Sequence, residues 1–152
     1  MLLELDRRPV NSTVGPDVMN VLGRQSWLGV MLAVGILYGA VGIVFAFPSN
    51  NVHMWRLAAW VGSAAIYVIH IGYEHFRLGN SSLATASHAA TAVALGAFIL
   101  AGAATIHKAV ATSHAPYSRY MLALVIWPIV TAVPAFLVAL VAGALLAIRR
   151  SA

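Results

Sequence analysis

The chain has 152 residues, of which 61% are hydrophobic and 9% carry a formal charge, whereas soluble globular domains carry roughly 25% charged residues. This composition excludes an ordinary water-soluble domain, and it excludes intrinsic disorder, which requires low hydrophobicity and high charge. A net charge of +5 spread over so many apolar residues forms no basic face for nucleic acid, and the lack of cysteine removes disulfides and thiolate chemistry. The class that remains is an integral membrane protein in a lipid bilayer.

The first 26 residues form a predicted cytoplasmic N-terminal arm of polar to amphipathic character. They contain no short apolar core followed by a small-residue cleavage site, so we expect no secretory signal peptide. Pro16 suits a first helical turn, and Asp17 would lie near the positive end of such a helix. Part of the arm is therefore a candidate interfacial helix on the membrane surface.

Four charge-poor segments follow, and each can cross a bilayer, because about 20 residues at 1.5 Å rise span roughly 30 Å of hydrocarbon. Unpaired backbone groups are too costly in lipid for open strands, so all four segments are predicted to be helices. They cover about residues 27–47, 54–77, 82–107 and 120–148, and a basic C-terminal end of residues 149–152 follows. The predicted fold is an all-α, up-down antiparallel four-helix bundle.

The positions of Lys and Arg predict the orientation of the bundle. With four spans, both termini lie on one side of the membrane, together with the connection between the second and third spans. That side holds six of the nine Lys and Arg residues, namely Arg7, Arg8, Arg24, Arg77, Arg149 and Arg150. Because positive residues concentrate on the cytoplasmic side, we expect both termini in the cytoplasm, and the bilayer to be a bacterial inner (plasma) membrane or its equivalent.

The first span contains three glycines on one face, Gly35, Gly39 and Gly42. The spacing of Gly35 and Gly39 is a GxxxG pattern, which allows a neighbouring helix backbone to approach closely. We expect a helix contact inside the bundle at these glycines. A contact between copies of the chain, or with another membrane subunit, is the alternative.

The second span carries a polar stripe. At 100° per residue, six polar side chains of this span fall within a sector of about 80°, and they are Arg56, Ser63, Tyr67, His70, Glu74 and Arg77. An ionisable residue inside a span is costly to bury without a partner, which makes it a candidate functional group. His75 points to another side of the helix and is expected to reach the membrane interface.

A tight turn is predicted between the second and third spans, at residues 78–81. Gly79 or Asn80 can adopt the left-handed conformation that ends a helix, and a serine can cap the next one. Counting nine residues either way from Gly79 reaches His70 and His88. The two imidazoles are therefore predicted at the same depth on adjacent helices, roughly 10 Å from the cytoplasmic boundary at 1.5 Å per residue.

His70, Glu74 and His88 form the main candidate site of the sequence. Imidazole titrates near neutral pH, as a proton relay or a cation site requires. Tyr67 lies on the same stripe, and Arg77, one turn beyond Glu74, would temper the carboxylate charge. The alternative is a purely structural role, in which these groups only hydrogen-bond two helices together.

A b-type haem is a further alternative, since small four-helix membrane proteins with several histidines can bind one. Two axial imidazoles need room for the iron and the porphyrin between them. His70 and His88 on hairpin neighbours with axes about 8 to 10 Å apart are too close for this arrangement. The first and fourth spans carry no histidine, so we expect no cofactor and keep haem b as an alternative.

The same count from the turn places a second pair of histidines, His53 and His107, at similar depths on the two helices, at the non-cytoplasmic boundary. Interfacial histidines with access to water are usually unremarkable, so a metal site at this pair is a weak hypothesis.

The fourth span contains Pro128 and Pro134. Each removes a backbone donor and displaces a carbonyl one turn earlier, and Thr131 between them can return a hydroxyl hydrogen bond to the backbone. We therefore expect the fourth span to have either a hinge or a static bend near these prolines.

The motifs of common enzyme classes are missing from the sequence: HExxH, a glycine-rich phosphate loop and a serine elbow. We therefore expect a non-enzymatic protein. Its small size favours a subunit of a membrane complex, or a transport or channel component that works as a homo-oligomer or with other membrane subunits.

Overall fold

A computed structural model describes residues 16–46, 50–111 and 117–151, and describes side chains in 27–46, 50–110 and 120–149. Within these ranges the chain forms four α-helices and no strand: α1 (Pro16–Val44), α2 (Val52–Phe76), α3 (Ser82–Ala111) and α4 (Tyr117–Ser151). Each helix contains a stretch long and apolar enough to cross a membrane. The all-α class is confirmed for the described residues, and so are four helices long and apolar enough to span a membrane.

The helices extend beyond the apolar stretches that predict them. α1 begins at Pro16, so residues 16–26 of the predicted arm are helical, while residues 1–15 lie outside the described part. α3 and α4 also exceed the predicted segments at 82–107 and 120–148. Hydropathy marks only the part of a helix that suits lipid, and backbone hydrogen bonding can continue past it.

α3 is the central helix. It packs along α1 and along α4, whereas α2 meets each of the other helices through few residues. The buried face of α3 is made of small residues, and Ala86, Ala89 and Ala92 are fully inaccessible. Because these alanines are three residues apart, they form one narrow stripe on which neighbouring helices can pack closely.

The glycines of α1 lie against α3. A Cβ atom at Gly35 would lie 2.6 Å from a methyl of Leu95, and one at Gly39 would lie 2.6 Å from a methyl of Ile99. Gly96 faces them from α3, where a Cβ would lie 3.1 Å from the Gly35 carbonyl oxygen. Gly42 is less crowded, with Leu100 at 3.1 Å. Only residues without a side chain allow the two backbones to come so near.

α2 is attached mainly through its C-terminal half. Its buried residues all lie in the last two turns, and they are His70, Ile71, Glu74 and His75. Ile71 belongs to the apolar core with Ala86 and Ala89 of α3 and Ala139 of α4. Near its other end, Trp55 contacts Phe45, with ring centroids 5.8 Å apart.

α4 continues through both of its prolines without an interruption of the helix. The hydroxyl of Thr131 donates hydrogen bonds to the carbonyls of Trp127 and Pro128, each at 3.0 Å. The predicted return bond from Thr131 to the backbone is therefore present around Pro128 and Pro134.

The residues that predict the orientation lie largely outside the described part of the chain. Arg7 and Arg8 precede residue 16, and the side chains of Arg24 and Arg150 are likewise undescribed. The cytoplasmic position of both termini stays a prediction.

Candidate functional site

The turn after α2 brings Asn80 back to Glu74. Gly79 has a φ of +63°, a left-handed conformation that glycine adopts without a Cβ penalty. The Asn80 backbone N–H then donates to the Glu74 carbonyl at 3.3 Å and ties the turn to the end of α2. The Ser81 hydroxyl accepts from the Ala84 N–H at 3.3 Å and caps α3. The predicted tight turn is confirmed.

The carboxylate of Glu74 is fully buried, with a side-chain exposure of 0%. Its Oε2 accepts two hydrogen bonds, one from Asn80 Nδ2 and one from His88 Nδ1 at 3.0 Å. Its Oε1 lies 3.5 Å from His70 Nε2. The structure therefore brings the three residues of the main candidate site together, and we call them, with Asn80, the Glu74 cluster.

His70 lies on the opposite side of the carboxylate from Asn80 and His88. Its side chain is inaccessible to solvent, and neither ring nitrogen has a hydrogen-bond partner among the described residues. The 3.5 Å separation from Oε1 is within ion-pair range but long for a hydrogen bond. His70 is also one of the residues around a groove of about 320 Å³ between α1 and α2, whose lining includes Leu37 and Ile66. Glu74 is the polar side chain that His70 faces.

His88 is held on two sides. Its ring stacks on the indole of Trp27, with centroids 4.3 Å apart and planes 4° from parallel. Its Nδ1 donates to Glu74 across the contact between α3 and α2. The stack fixes the plane of the imidazole, and three helices therefore meet at this side chain.

The other residues of the predicted stripe have different positions. Arg77 is exposed at the C-terminal end of α2, and no ion pair joins it to Glu74 among the described side chains. Tyr67 is half-buried, and its hydroxyl donates to the carbonyl of Ala135 in α4. Tyr67 thus joins α2 to α4 and does not touch the Glu74 cluster through a hydrogen bond.

The second pair of histidines remains at the surface. His53 and His107 are both exposed. Within the described residues, no group of three or more His, Asp or Glu side chains has a geometry that could hold a metal ion. Nothing in the described part adds further ligands to this pair.

The expectation for His75 is wrong. The side chain is buried against the protein, with only 6% of its surface exposed, and is not an exposed side chain at a helix end. Its ring lies edge-on to Phe76, with centroids 5.1 Å apart, and both ring nitrogens lack a hydrogen-bond partner among the described residues. The periodicity of one helix gives the direction in which each side chain points, but it does not show which sides of the helix its neighbours cover. In this bundle the neighbouring helices also cover the side that carries His75.

Two members of the site were not singled out as such by the sequence. From the sequence, Asn80 is predicted to be a turn residue, and Trp27 is predicted to be an interfacial aromatic residue at the start of a span. The available signal for the Asn80 contact is its place in the short turn directly after the helix that carries Glu74. The stack of Trp27 on His88 has no comparable signal, since it depends on how α1 packs on α3.

Comparison of the chain with protein-family models, curated proteins and solved structures found no match in any of the three.

Proposed function

We propose that the chain is a small, non-enzymatic multi-pass membrane protein in which the Glu74 cluster exchanges protons. The observation that supports this is the identity of the groups around the buried carboxylate: two imidazoles and an amide, with Arg77 exposed. Arginine stays charged at physiological pH, whereas the unperturbed imidazole changes charge between about pH 5 and 8. The compensation of the Glu74 charge by its described neighbours therefore depends on pH.

A proton suits this site better than a metal cation. The amide group of Asn80 points a donor at Glu74 Oε2, and a donor cannot bind a cation. His88 Nδ1 also donates to the same oxygen. A metal ion on Oε2 would require both hydrogen bonds to be replaced, and among the described residues no third ligand joins Glu74 and His70 for a metal ion on Oε1, whereas a proton needs no further ligand.

The haem alternative has less support. The Glu74 carboxylate lies between the two imidazoles, with one oxygen toward each ring, and Trp27 covers a face of His88. A porphyrin between His70 and His88 would have to displace the carboxylate and separate α2 from α3. Two axial ligands normally come from helices that leave this space open.

The proposed topology is an up-down bundle with both termini in the cytoplasm. The contacts from Gly35 to Leu95 and from Gly39 to Ile99 advance in the same direction along α1 and α3, which supports the up-down order of the helices. The contacts from Ser82 to Gly143 and from Gly102 to Leu124 advance in opposite directions along α3 and α4. In this topology the Glu74 cluster lies near the cytoplasmic side, from which protons would enter.

We further propose that the protein works as a homo-oligomer or as a subunit of a larger complex in a bacterial inner membrane. The length of 152 residues and the four spans support this, because such a chain is small for an independent transport path. In a homo-oligomer the transport or channel activity belongs to copies of this chain and can be measured with the purified protein alone.

The proposal is tested by replacing Glu74 with Gln, which keeps the shape of the side chain and removes its titration. The full chain is reconstituted in liposomes that enclose a pH-sensitive dye, and proton flux is followed after a pH jump. Wild type is expected to carry a pH-dependent flux, and Glu74→Gln is expected to fall to the level of protein-free liposomes. Glu4→Gln in the N-terminal arm is the matched control and should behave as wild type.

A purely structural role for the Glu74 cluster predicts a different result. Glu74→Gln would then lower the thermal stability in detergent, and any flux of the folded protein would keep its dependence on pH. An unchanged pH dependence in Glu74→Gln, or the absence of flux and of any pH-dependent signal in wild type, would sink the proposal.

A further inference from the structure

We infer that the exchanged proton is shared between Glu74 Oε1 and His70 Nε2, and that His88 is a positioning residue that does not carry it. This inference rests on the proposed proton exchange and assigns different roles to the two imidazoles. The argument begins with the unequal surroundings of the two carboxylate oxygens.

Oε2 of Glu74 is fully engaged. It accepts from Asn80 Nδ2 and from His88 Nδ1, and a carboxylate oxygen has two lone-pair sites for such bonds. A proton on Oε2 would break one of these hydrogen bonds inside a buried site, where a lost bond leaves a donor unsatisfied. Protonation of this oxygen is therefore opposed by its own partners.

Oε1 of Glu74 has the opposite surroundings. It is buried and has no hydrogen-bond partner among the described residues, and the group it faces is His70 Nε2 at 3.5 Å. Both nitrogens of His70 lack a partner in the same part of the chain. A proton on either atom would turn this contact of two unsatisfied groups into a hydrogen bond, which is favourable in a buried site.

The transfer balances with these two residues alone. When Glu74 carries the proton on Oε1, His70 is neutral with its hydrogen on Nδ1 and a lone pair on Nε2. Breaking the O–H bond and forming the N–H bond at Nε2 leaves a carboxylate beside an imidazolium. The two states differ only in the position of one proton, and a shift of a few tenths of an ångström shortens the contact to a normal hydrogen-bond length.

His88 does not have this freedom. Its Nδ1 must carry a hydrogen to donate to Oε2, and its ring plane is fixed by the stack on Trp27. This hydrogen is needed whether or not Glu74 shares a proton with His70. Any side chain that donates from the same position could therefore replace His88, whereas His70 must be able to titrate.

Other titratable and charged groups around the carboxylate do not alter the assignment. α2 adds the buried His75 and the exposed Arg77, neither of which bonds to Glu74. α1 contributes Trp27, which reaches the site through His88. From α4, no described titratable or charged side chain forms a hydrogen bond or ion pair with Glu74.

Two conservative substitutions separate the roles. In His88→Asn, the amide nitrogen occupies the position of Nδ1 and donates without titrating; in His70→Gln, the amide nitrogen replaces Nε2 in the same way. We expect His88→Leu to lose the pH-dependent liposome flux and His88→Asn to restore it, while His70→Gln remains at the level of Glu74→Gln. Equal loss in His88→Asn and His70→Gln, or restoration by His70→Gln, would overturn the assignment while leaving proton exchange at Glu74 intact.

A second measurement decides the assignment independently of flux. The full chain with ¹⁵N-labelled histidine is placed in lipid nanodiscs, and the imidazole nitrogen shifts are followed by NMR as the pH is changed. The resonance that His70→Gln removes should pass from a neutral to a doubly protonated ring, and this change should be lost in Glu74→Gln. The resonance that His88→Asn removes should keep a protonated Nδ1 throughout. A His88 ring that loses the Nδ1 hydrogen, or a His70 ring that does not titrate, contradicts the inference.

Discussion

The contact between α1 and α3 and the attachment of α2 are built in different ways. α1 and α3 meet through glycines, with Gly96 so close to α1 that a Cβ would lie 3.1 Å from a backbone oxygen. α2 is buried only near its C-terminal end, and hydrogen bonds fix it there through Glu74 to α3 and through Tyr67 to α4. The first contact depends on shape along its length, and the second depends on a few directional bonds.

This difference separates stability from function in the molecule. Close packing of small residues tolerates no added volume, but it is indifferent to pH. Hydrogen bonds to a buried carboxylate change when a proton is added or removed. Substitutions at the α1–α3 contact should therefore unfold the bundle, whereas substitutions around Glu74 should act mainly on the position of α2.

The largest expected effect is at Gly96. In Gly96→Ala the new methyl would lie 2.4 Å from the Cβ of Tyr38 and would push against the backbone of α1, so the helices must separate. Overpacking of this kind costs about 1–3 kcal/mol or more, and we expect about 3 kcal/mol, measured by denaturant unfolding in micelles with circular dichroism. Gly29→Ala is the control, since nothing lies within 4 Å of its Cβ position. Equal destabilisation by the two variants would show that close packing between α1 and α3 is not the source of the effect at Gly96.

The second-largest expected loss of stability is at Gly79, where the turn and the Glu74 cluster meet. Ala in a left-handed conformation costs roughly 1–2 kcal/mol, and no crowding contributes, because no atom lies within 4 Å of the Cβ position. Gly79→Ala should also weaken the hold of Asn80 on Glu74, whereas Gly79→Asn should cost less, since Asn tolerates this conformation. A double-mutant cycle with Asn80→Ala measures the coupling energy between Gly79 and Asn80. Strict additivity of the two free energies of unfolding would show that the turn does not act through Asn80.

The smallest effect is at Tyr67. Tyr67→Phe removes the hydrogen bond to the Ala135 carbonyl, and such interhelical bonds in membranes contribute about 0.6 kcal/mol on average. We expect a loss of this size in the free energy of unfolding and no change in the pH dependence of the flux. Tyr73→Phe is the control, because the Tyr73 side chain is 42% exposed. A change in pH dependence in Tyr67→Phe would extend the functional site toward α4.

The class of the fold could be predicted because lipid imposes a strict rule on the sequence. Every backbone polar group must be bonded within its own segment, so a charge-poor stretch of sufficient length can only be a helix. The role of α3 as the central helix could not be predicted in this way. All four segments satisfy the same rule, and the choice of neighbour depends on small residues such as Gly96 and Ala89, which fit many possible partners.

The candidate site could be predicted in part for a similar reason. His70 and Glu74 share a face because they are four residues apart, and the tight turn places His88 at their depth. The exposure of Arg77 could not be anticipated, because the helix ends at Phe76 and the chain turns away there. The burial of His75 and the stack of Trp27 on His88 depend on the packing of helices against one another, which periodicity within one helix does not contain.

The double attachment of Asn80 to Glu74, through its backbone and its side chain, also bears on protein engineering. The short connection between α2 and α3 looks like a permissive site for an epitope or a fluorescent-protein insertion, since Gly79 is exposed. Lengthening it would instead pull a donor away from a buried carboxylate. Because the chain contains no cysteine, a single cysteine at Val110, which is 85% exposed near the far end of α3, offers a labelling position that leaves this connection intact.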